Sequence, residues 1–459
     1  MMSHAKKFLP LILLLASVGF ARVNAATNSL VWQTAGDNIS ADIRGEALWP
    51  LLTDIAHQTG WHIFVEPGID AKADVKFSNL PTGAALKKLL GDLNFAFVPK
   101  ANEANHLYVF ATTIRAATQR VNVTMTNKTE VAKHVANELI LKVKPGTDID
   151  ALAKSLGAKI IGRDDKLGIY RLQFDDAAAT DAALAQLKNN SDVAAVDYNY
   201  IYDAPPAPQA VASAAAGPVS LTLDPNTASD PCHPIVGLID TRMQSLGDQL
   251  NPFIMKSISV TGDTTPLTAT TPTHATAMAQ TILRAVSQQS STSGVKILPV
   301  DVYGSSETAT TWNVALGVKA AVDGGATILN MSLGGSSDSA VLDSIIQQAQ
   351  ANGVVIFAAA GNQPVNTPTY PAAISGVNAV TALGAPGQLA AYANYGAFVE
   401  MALPGASVVY LGSQAYVVQG TSPATAYASG VAAGYKGINC DTWQQIQAMM
   451  QQKFPVPAK

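Results

Sequence analysis

The feature of the sequence that most constrains the fold is a series of continuous apolar runs, separated by helix-length segments, from Pro234 onward. The runs are IVGLID, VKILPVDVY, TILNMSLGG and VVIFAAAGN, and the segments between them are HATAMAQTILRAV, TTWNVALGVKAAVDGG and SAVLDSIIQQAQANG. Strands that are apolar throughout are buried on both faces, and connections of helix length join parallel strands. Residues 230–459 are therefore predicted to form an α/β domain, a parallel sheet flanked by helices.

Two upstream stretches each predict a small α+β domain with the element order βαββαβ. In residues 28–115 the order is carried by ISADIRG, EALWPLLTDIAHQTG, WHIFVEPG, ADVKFSNL, TGAALKKLLGDLN and FAFVPK with HLYVFAT. In residues 136–203 it is carried by NELILKVKPG, DIDALAKSLG, AKIIGRD, GIYRLQFDD, AATDAALAQLKNN and VAAVDYNYIYD. Residues 204–229 are predicted to be a linker, because the Ala-, Pro- and Ser-rich start of this stretch cannot bury enough apolar surface to order itself.

The first 25 residues predict a secretory signal peptide. Lys6 and Lys7 precede an apolar run from Phe8 to Val18, and small residues end the segment at Ala25. The run is shorter than the roughly 20 apolar residues that span a membrane. We therefore expect an exported protein, periplasmic or extracellular, with no membrane span in the mature chain. Charged residues make up only 14% of the chain and the net charge is -4, which argues against nucleic-acid partners.

Two cysteines, Cys232 and Cys440, lie at the two ends of the C-terminal region. An oxidising compartment would allow them to form a disulfide. Two isolated buried thiols remain the alternative, because the sequence does not show the distance between the two residues.

Several polar residues follow the predicted strands, where functional groups gather in parallel α/β sheets. Asp240 and Asn362 end two strands, Ser332-Leu333-Gly334 ends a third, and His274 and Ser422 begin helices. A serine becomes a nucleophile when a histidine takes its proton and a carboxylate orients that histidine. Taken singly, each residue has a structural explanation, since Asp and Ser are common helix caps and lone histidines are usually structural.

The blocks around these residues resemble those of the subtilisin-like serine peptidases over residues 230–437. They are VGLIDT, THATAMA, ILNMSLGG, VVIFAAAGN, ANYGAFVEMALPG and GTSPATAYASGVAAG. The resemblance implies that Ser422 is the nucleophile, His274 the general base, Asp240 its orienting carboxylate and Asn362 the side-chain oxyanion donor. It also implies that the edge at Ser332, Leu333 and Gly334 pairs with an extended peptide substrate.

The two upstream domains carry resemblances of their own. Residues 136–203 resemble the inhibitory propeptide of these peptidases, which implies a zymogen that cuts itself between Tyr200 and Asp230; a permanent accessory domain is the alternative. Residues 28–115 resemble the short N-terminal domain of secretins and TonB-dependent receptors, through IRGEALWPLLTDIAHQTGWHIFVEP and LPTGAALKKLLGDL. That resemblance implies an envelope protein as a partner of this domain.

No cofactor is expected. The chain has no His-Glu-x-x-His run, and Cys232 with His233 has no partners at zinc spacing. Ser422 is followed two residues later by Ala424, which excludes the Gly-x-Ser-x-Gly elbow of esterases. The family resemblance leaves structural calcium open, and the sequence does not indicate its ligands.

The chain departs from the family pattern near the candidate residues. Arg242 stands where a glycine is usual after Asp-Thr, Ala275 follows the histidine, Pro423 follows the serine directly, and Ala426 replaces a usual proline. The prediction is an exported serine endopeptidase acting on peptides or proteins and made as a self-processing zymogen. The alternative is a catalytically impaired binding protein of the cell envelope, and Arg242 is the feature that supports it.

Overall fold

A computed structural model of the protein describes residues 29–33, 38–99, 105–121, 133–211, 221–225, 232–384 and 387–457. The predicted signal peptide lies outside these residues. The described chain divides into two compact units, one formed by residues up to Leu51 together with Ala71–Asp92, the other by Leu52–Asp70 and all that follows Asp92. No helix among the described residues is long and apolar enough to cross a membrane.

The N-terminal region has the predicted element order, with one further strand at each end. Its strands are β1 (Ser29–Gln33), β2 (Asn38–Ala47), β3 (His62–Val65), β4 (Lys72–Leu80), β5 (Asn94–Val98), β6 (His106–Phe110) and β7 (Gln119–Val121), and its helices are α1 (Leu48–Thr59) and α2 (Thr82–Leu89). The strands form two sheets, an antiparallel β1-β2-β4 in the first unit and β5-β6-β3-β7 in the second. The resemblance to the secretin and TonB-type domain stays a prediction.

The middle domain, defined here as residues 133–203, confirms the predicted βαββαβ order. Its elements are β8 (His134–Val143), α3 (Ile149–Ser155), β9 (Lys159–Asp164), β10 (Ile169–Gln173), α4 (Ala177–Leu187) and β11 (Val193–Asp203). Asp148 and Asp176 begin the two helices, each accepting a hydrogen bond from a backbone N–H of the first turn. The sheet order is β11-β8-β10-β9, and the helices cover an apolar core that includes Leu139, Leu141 and Leu172.

Two short strands fall inside the predicted linker, β12 (Gln209–Ala210) and β13 (Asp224–Pro225). The composition of the linker gives it no apolar core of its own. Its two short strands are instead held by backbone hydrogen bonds, β12 to β24 (Gln414–Gln419) and β13 to β16 (Thr292–Ser293).

The C-terminal domain, residues 232–457, confirms the predicted parallel α/β architecture. Its strands are β14 (Ile235–Asp240), β15 (Ile258–Ser259), β16 (Thr292–Ser293), β17 (Lys296–Asp301), β18 (Thr308–Thr310), β19 (Ile328–Met331), β20 (Val355–Ala359), β21 (Asn378–Leu383), β22 (Met401–Pro404), β23 (Ala406–Leu411) and β24 (Gln414–Gln419). Its helices are α5 (His274–Ser287), α6 (Thr311–Asp323), α7 (Ala340–Ala351), α8 (Thr421–Asn439) and α9 (Trp443–Lys453). The main sheet is parallel throughout, in the order β15-β17-β14-β19-β20-β21-β22.

Short polar residues begin the helices of this domain. The side chains of Thr273, Thr310 and Ser339 accept hydrogen bonds from the first turns of α5, α6 and α7. At the two ends of the domain, Cys232 and Cys440 form a disulfide, so the first of the two alternatives for these residues is the correct one.

The middle domain packs on α6 and α7 through the last strand of its sheet. Asp197 of β11 accepts hydrogen bonds from the Ser339 hydroxyl at 3.0 Å and from the Val341 N–H at 2.9 Å, at the start of α7. The buried side chain of Asn199 accepts one from the Trp312 N–H at 3.1 Å, at the start of α6. Two side chains of β11 therefore satisfy free N–H groups at the N-termini of two helices of the C-terminal domain.

Candidate active site

Asp240 and His274 form a buried hydrogen-bonded pair. Asp240 is the last residue of β14 and His274 the first of α5, and they are 1% and 3% exposed. The Nδ1 atom of His274 lies 2.8 Å and 2.9 Å from the two carboxylate oxygens of Asp240. The Thr241 N–H donates a further hydrogen bond to the same carboxylate, at 2.6 Å. The carboxylate thus fixes the ring orientation of His274 and leaves its Nε2 atom for proton transfer.

The start of α5 is fixed by Gln244, which the sequence analysis did not single out. Its side-chain oxygen accepts hydrogen bonds from the Thr273 N–H and the Thr276 hydroxyl, and its amide nitrogen donates to the carbonyls of Ala269 and Thr271. Its contacts are with residues 25 to 32 positions away. The local sequence around Gln244 contains no pattern that predicts this role.

Ser422 is the second residue of α8 and is 8% exposed. The helix begins after Gly420, whose φ of +143° is unfavourable for residues that carry a Cβ atom. A methyl group built on Gly420 would also lie 3.1 Å from Nδ2 of Asn362. The glycine in GTSPATAYASG is therefore required both by its backbone conformation and by the close approach of Asn362.

Asn362 lies beside the start of α8, after β20. Its side-chain oxygen accepts a hydrogen bond from the Thr421 N–H at 2.8 Å. With that oxygen held, the Nδ2 group is the end of the amide that can donate to a ligand. The free N–H groups of a helix start and this amide are both donors suited to a developing negative oxygen.

A buried polar network connects β19 to α8 beneath Ser422. Asn330 donates to the Ser332 hydroxyl and accepts from the Ser429 hydroxyl, each at 3.0 Å. The Ser332 hydroxyl donates in turn to the Ser422 carbonyl at 3.0 Å, and the Ser422 hydroxyl donates to the Ser332 carbonyl at 3.2 Å. The sequence analysis identified Ser332 and Ser422 but missed Asn330 and Ser429, because nothing in the local pattern distinguishes a buried polar residue in a strand or helix from an exposed one.

Ser332, Leu333, Gly334 and Gly335 form what we call the edge segment, next to the strand that leaves the middle domain. Gly335 exchanges two backbone hydrogen bonds with Tyr370 on one side. On the other side, a methyl group built on Gly335 would lie 3.4 Å from the ring of Tyr202 and 3.9 Å from the Ile201 carbonyl. Leu333 is buried in the same apolar cluster as Tyr202.

Arg242 makes its hydrogen bond away from the Asp240–His274 pair. Its guanidinium donates to the carbonyl of Thr265. The hydrogen bonds of the Asp240 carboxylate come from Thr241 and His274. The presence of Arg242 in place of the usual glycine therefore does not break the hydrogen bond between Asp240 and His274.

Tyr303, close to the pair, is held in its neutral form. Burial raises the pKa of its hydroxyl well above the ordinary value of 10.0, and the charge of Asp240 acts in the same direction. Among the described residues, no group of three or more His, Cys, Asp or Glu side chains is placed to hold a metal ion. The site thus offers a histidine oriented by a carboxylate, a serine at a helix start and an amide donor.

Comparison with known proteins identifies two parts of the chain. Residues 233–455 match the subtilase family, and residues 121–199 match the fervidolysin N-terminal prodomain. The chain is 39% identical over 123 residues to the thermostable alkaline protease of Halalkalibacterium halodurans, and 33% identical over 154 residues to subtilisin Savinase of Lederbergia lenta. These alignments cover 26% and 33% of this chain. The chain spans 34% and 57% of the length of those two relatives.

The fold is similar to that of a solved structure, fervidolysin from Fervidobacterium pennivorans, described as a keratinolytic enzyme related to subtilisin. The TM-score is 0.53 at 19% sequence identity, over 70% of this chain and 57% of that one. At this identity the similarity concerns the fold alone.

Proposed function

Because residues 233–455 belong to the subtilase family, we propose that the protein is an exported serine endopeptidase made as a zymogen. The observation that carries the proposal is the buried Asp240–His274 pair at the start of α5, a helix that packs against α8, which carries Ser422 and begins beside Asn362. In the proposed reaction His274 takes the proton of Ser422, whose oxygen attacks the carbonyl carbon of a peptide bond. The same proton then goes to the leaving amine, and water releases the acyl group from Ser422.

In this proposal the Nδ2 group of Asn362 and the backbone N–H of Ser422 stabilise the negative oxygen of the tetrahedral intermediate. The edge segment pairs with the substrate main chain as a neighbouring strand would. Neither step needs a cofactor. Structural calcium, which the family resemblance leaves open, takes no part in the proposed steps.

The proposal that the middle domain is an inhibitory propeptide is supported by its last strand. Residues Ile201–Asp203 of β11 pair antiparallel with β18, next to the edge segment. Tyr202 is 1% exposed and packs among Trp312, Leu333 and other core residues of the C-terminal domain. A segment that lies where an extended substrate would bind keeps substrates out until it leaves.

Export is supported by the N-terminal sequence and by the disulfide, which is stable in oxidising compartments. For the N-terminal region we propose contact with an envelope protein, a proposal that depends on its sequence resemblance alone.

The test is hydrolysis of an unstructured protein by the purified chain and by three variants. Ser422→Ala should abolish the activity, and Ser375→Ala, which changes an exposed serine of the same domain, should leave it intact. Arg242→Gly tests the alternative, a binding protein impaired by Arg242. Activity that appears only after this substitution would favour the alternative, whereas activity in the parent chain would exclude it.

A further inference from the structure

The chain is anchored at two places on either side of a short proline-rich segment. On one side, the Ala204 N–H donates to the Glu307 carbonyl at 2.7 Å, continuing the pairing of β11 with β18. On the other, β12 pairs antiparallel with β24, and the Val211 N–H donates to the Ala415 carbonyl at 3.0 Å. Residues 204–208, with the sequence APPAP, run from the first anchor at Ala204 to the start of the second, and we call them the proline strap.

Each of the two anchors adjoins an element that leads to the candidate nucleophile. The first is next to the edge segment, whose Ser332 carbonyl accepts the hydrogen bond from Ser422. The second is β24, which ends at Gln419, three residues before Ser422. The strap therefore connects the edge segment to the strand that leads into α8.

The composition of the strap is unfavourable for cleavage by the candidate site whose neighbouring elements it connects. Pro205, Pro206 and Pro208 have no N–H group, so they cannot make the backbone hydrogen bonds by which a substrate strand pairs with an edge. The nitrogen of the Pro205–Pro206 bond belongs to a ring and carries no hydrogen. In the structure the Ser332 carbonyl of the edge segment accepts a hydrogen bond from the Ser422 hydroxyl, at 3.2 Å.

We propose that residues 204–208 inhibit the site without being cut, so that self-processing breaks a peptide bond that follows the strap in the chain. The inference rests on the proposed peptidase function and names how that site is regulated. The cut is an ordinary hydrolysis in which water adds across one peptide bond, giving a new carboxylate and a new amine. The propeptide then leaves with the strap attached to its C-terminal end, and both anchors must be released before a substrate can bind.

The experiment follows the intact masses and N-terminal sequences of fragments from the full chain during incubation after folding. In the parent chain, no fragment should begin between Pro205 and Gln209. The double variant Pro205→Ala/Pro206→Ala restores two N–H groups and a cleavable bond, so it should give a new fragment that begins within that range. The variant should also develop activity on an unstructured protein earlier than the parent.

Two controls separate the possible failures. Pro145→Ala, an exposed proline of the middle domain, should leave the parent pattern unchanged, and Ser422→Ala should abolish every fragment in each background. If the parent chain is active and gives a fragment that begins between Pro205 and Gln209, the strap proposal is wrong and the peptidase proposal stands. The same conclusion follows if the double variant is cut only where the parent is cut. If no chain shows hydrolysis that depends on Ser422, the peptidase proposal itself fails.

Discussion

At the scale of single residues, the candidate site depends on a few side chains whose orientation is fixed by hydrogen bonds. His274 is oriented by Asp240, Gln244 fixes the first turn of the helix that carries it, and Asn362 is held by the Thr421 N–H. The contacts of His274 and Asn362 each hold one end of the side chain, and the opposite end is the one that the proposed reaction uses. A substitution can therefore change the free end of such a side chain and keep the end that is held by a hydrogen bond.

Asn362→Asp is the sharpest test of the oxyanion role. The substitution keeps an oxygen that accepts from the Thr421 N–H but replaces the Nδ2 donor with a second oxygen. We expect turnover to fall by about 10²- to 10³-fold, the magnitude known for loss of such a donor in subtilisin, with little change in KM. Steady-state kinetics of the processed enzyme measure the effect, and an unchanged thermal midpoint would show that the fold is intact. Turnover close to that of the parent would exclude the role.

At the scale of elements, helix α8 owes its position to small side chains. A methyl group on Gly430 would lie 2.4 Å from the Ile282 carbonyl and 2.7 Å from the Cβ atom of Ala285, both on α5. The small side chains of α8 therefore allow a close approach to α5. Since α5 begins with His274 and α8 carries Ser422, this contact also sets the distance between the two helices of the site.

Gly430→Ala is expected to destabilise the C-terminal domain by about 1–3 kcal/mol, because the methyl group meets backbone that cannot move cheaply. Chemical denaturation of the Ser422→Ala chain, which cannot cut itself under the proposed mechanism, measures the change. The matched control is Gly83→Ala in α2, where a methyl group meets nothing within 4 Å and where alanine is favoured in a helix. Equal stability of the two variants would contradict the packing argument.

The contact between β11 and α7 is expected to depend on pH through Asp197. Burial raises the pKa of this carboxyl above its ordinary value of 3.8 and the charge of Asp338 adds to the rise, against the hydrogen bonds from Val341 and Ser339 and the charge of Lys188. A raised pKa in the docked state means that docking is favoured while the group is protonated. Its contribution is complete below pH 3.8 and is lost as the pH rises through the raised pKa.

Asp197→Asn, compared with the parent in the Ser422→Ala background, should remove this part of the pH dependence. The asparagine keeps an oxygen for the helix start and stays neutral, as Asn199 does at the neighbouring helix. Thermal midpoints recorded from below pH 3.8 to neutral pH measure the difference between the two chains. Parallel curves for the two chains over that range would show that Asp197 is not responsible.

At the scale of the whole molecule, the disulfide joins the two ends of the C-terminal domain. Cys232 and Cys440 are 208 residues apart, and both follow the proline strap in the chain. Under the proposed processing the bond would stay within the C-terminal domain, where it holds the start of the domain to the end of α8.

Replacing both cysteines with serine should lower the free energy of unfolding by about 2–5 kcal/mol, because the unfolded chain regains the freedom of a long loop. Denaturation with and without a thiol reductant measures the loss. The parent should lose stability on reduction, and the double variant should be insensitive to the reductant. A parent chain whose stability does not change on reduction would contradict a structural role for the bond.

The sequence determined by itself the features that depend on local pattern. Apolar runs and helical spacing predicted the parallel sheet of the C-terminal domain and the βαββαβ order of the middle domain, because burial and periodicity are written in consecutive residues. The same local blocks brought Asp240, His274, Ser422 and Asn362 forward as candidates. The structure joins Asp240 to His274 and places Asn362 beside the start of the helix that carries Ser422, and the catalytic roles of these residues remain the proposal made above.

Only the tertiary structure decided features that join residues distant in the chain. The sequence left the pairing of Cys232 with Cys440 open, and it gave no sign that Asp197 and Asn199 satisfy helix starts more than 100 residues later. The sequence also suggested that Arg242 impairs the site, whereas in the structure its guanidinium donates a hydrogen bond to the Thr265 carbonyl. It treated residues 204–208 as part of a free linker, although the chain on both sides is paired to the C-terminal domain. The physical reason is that a hydrogen bond depends on where two groups meet in space, and the local sequence of either group does not contain that information.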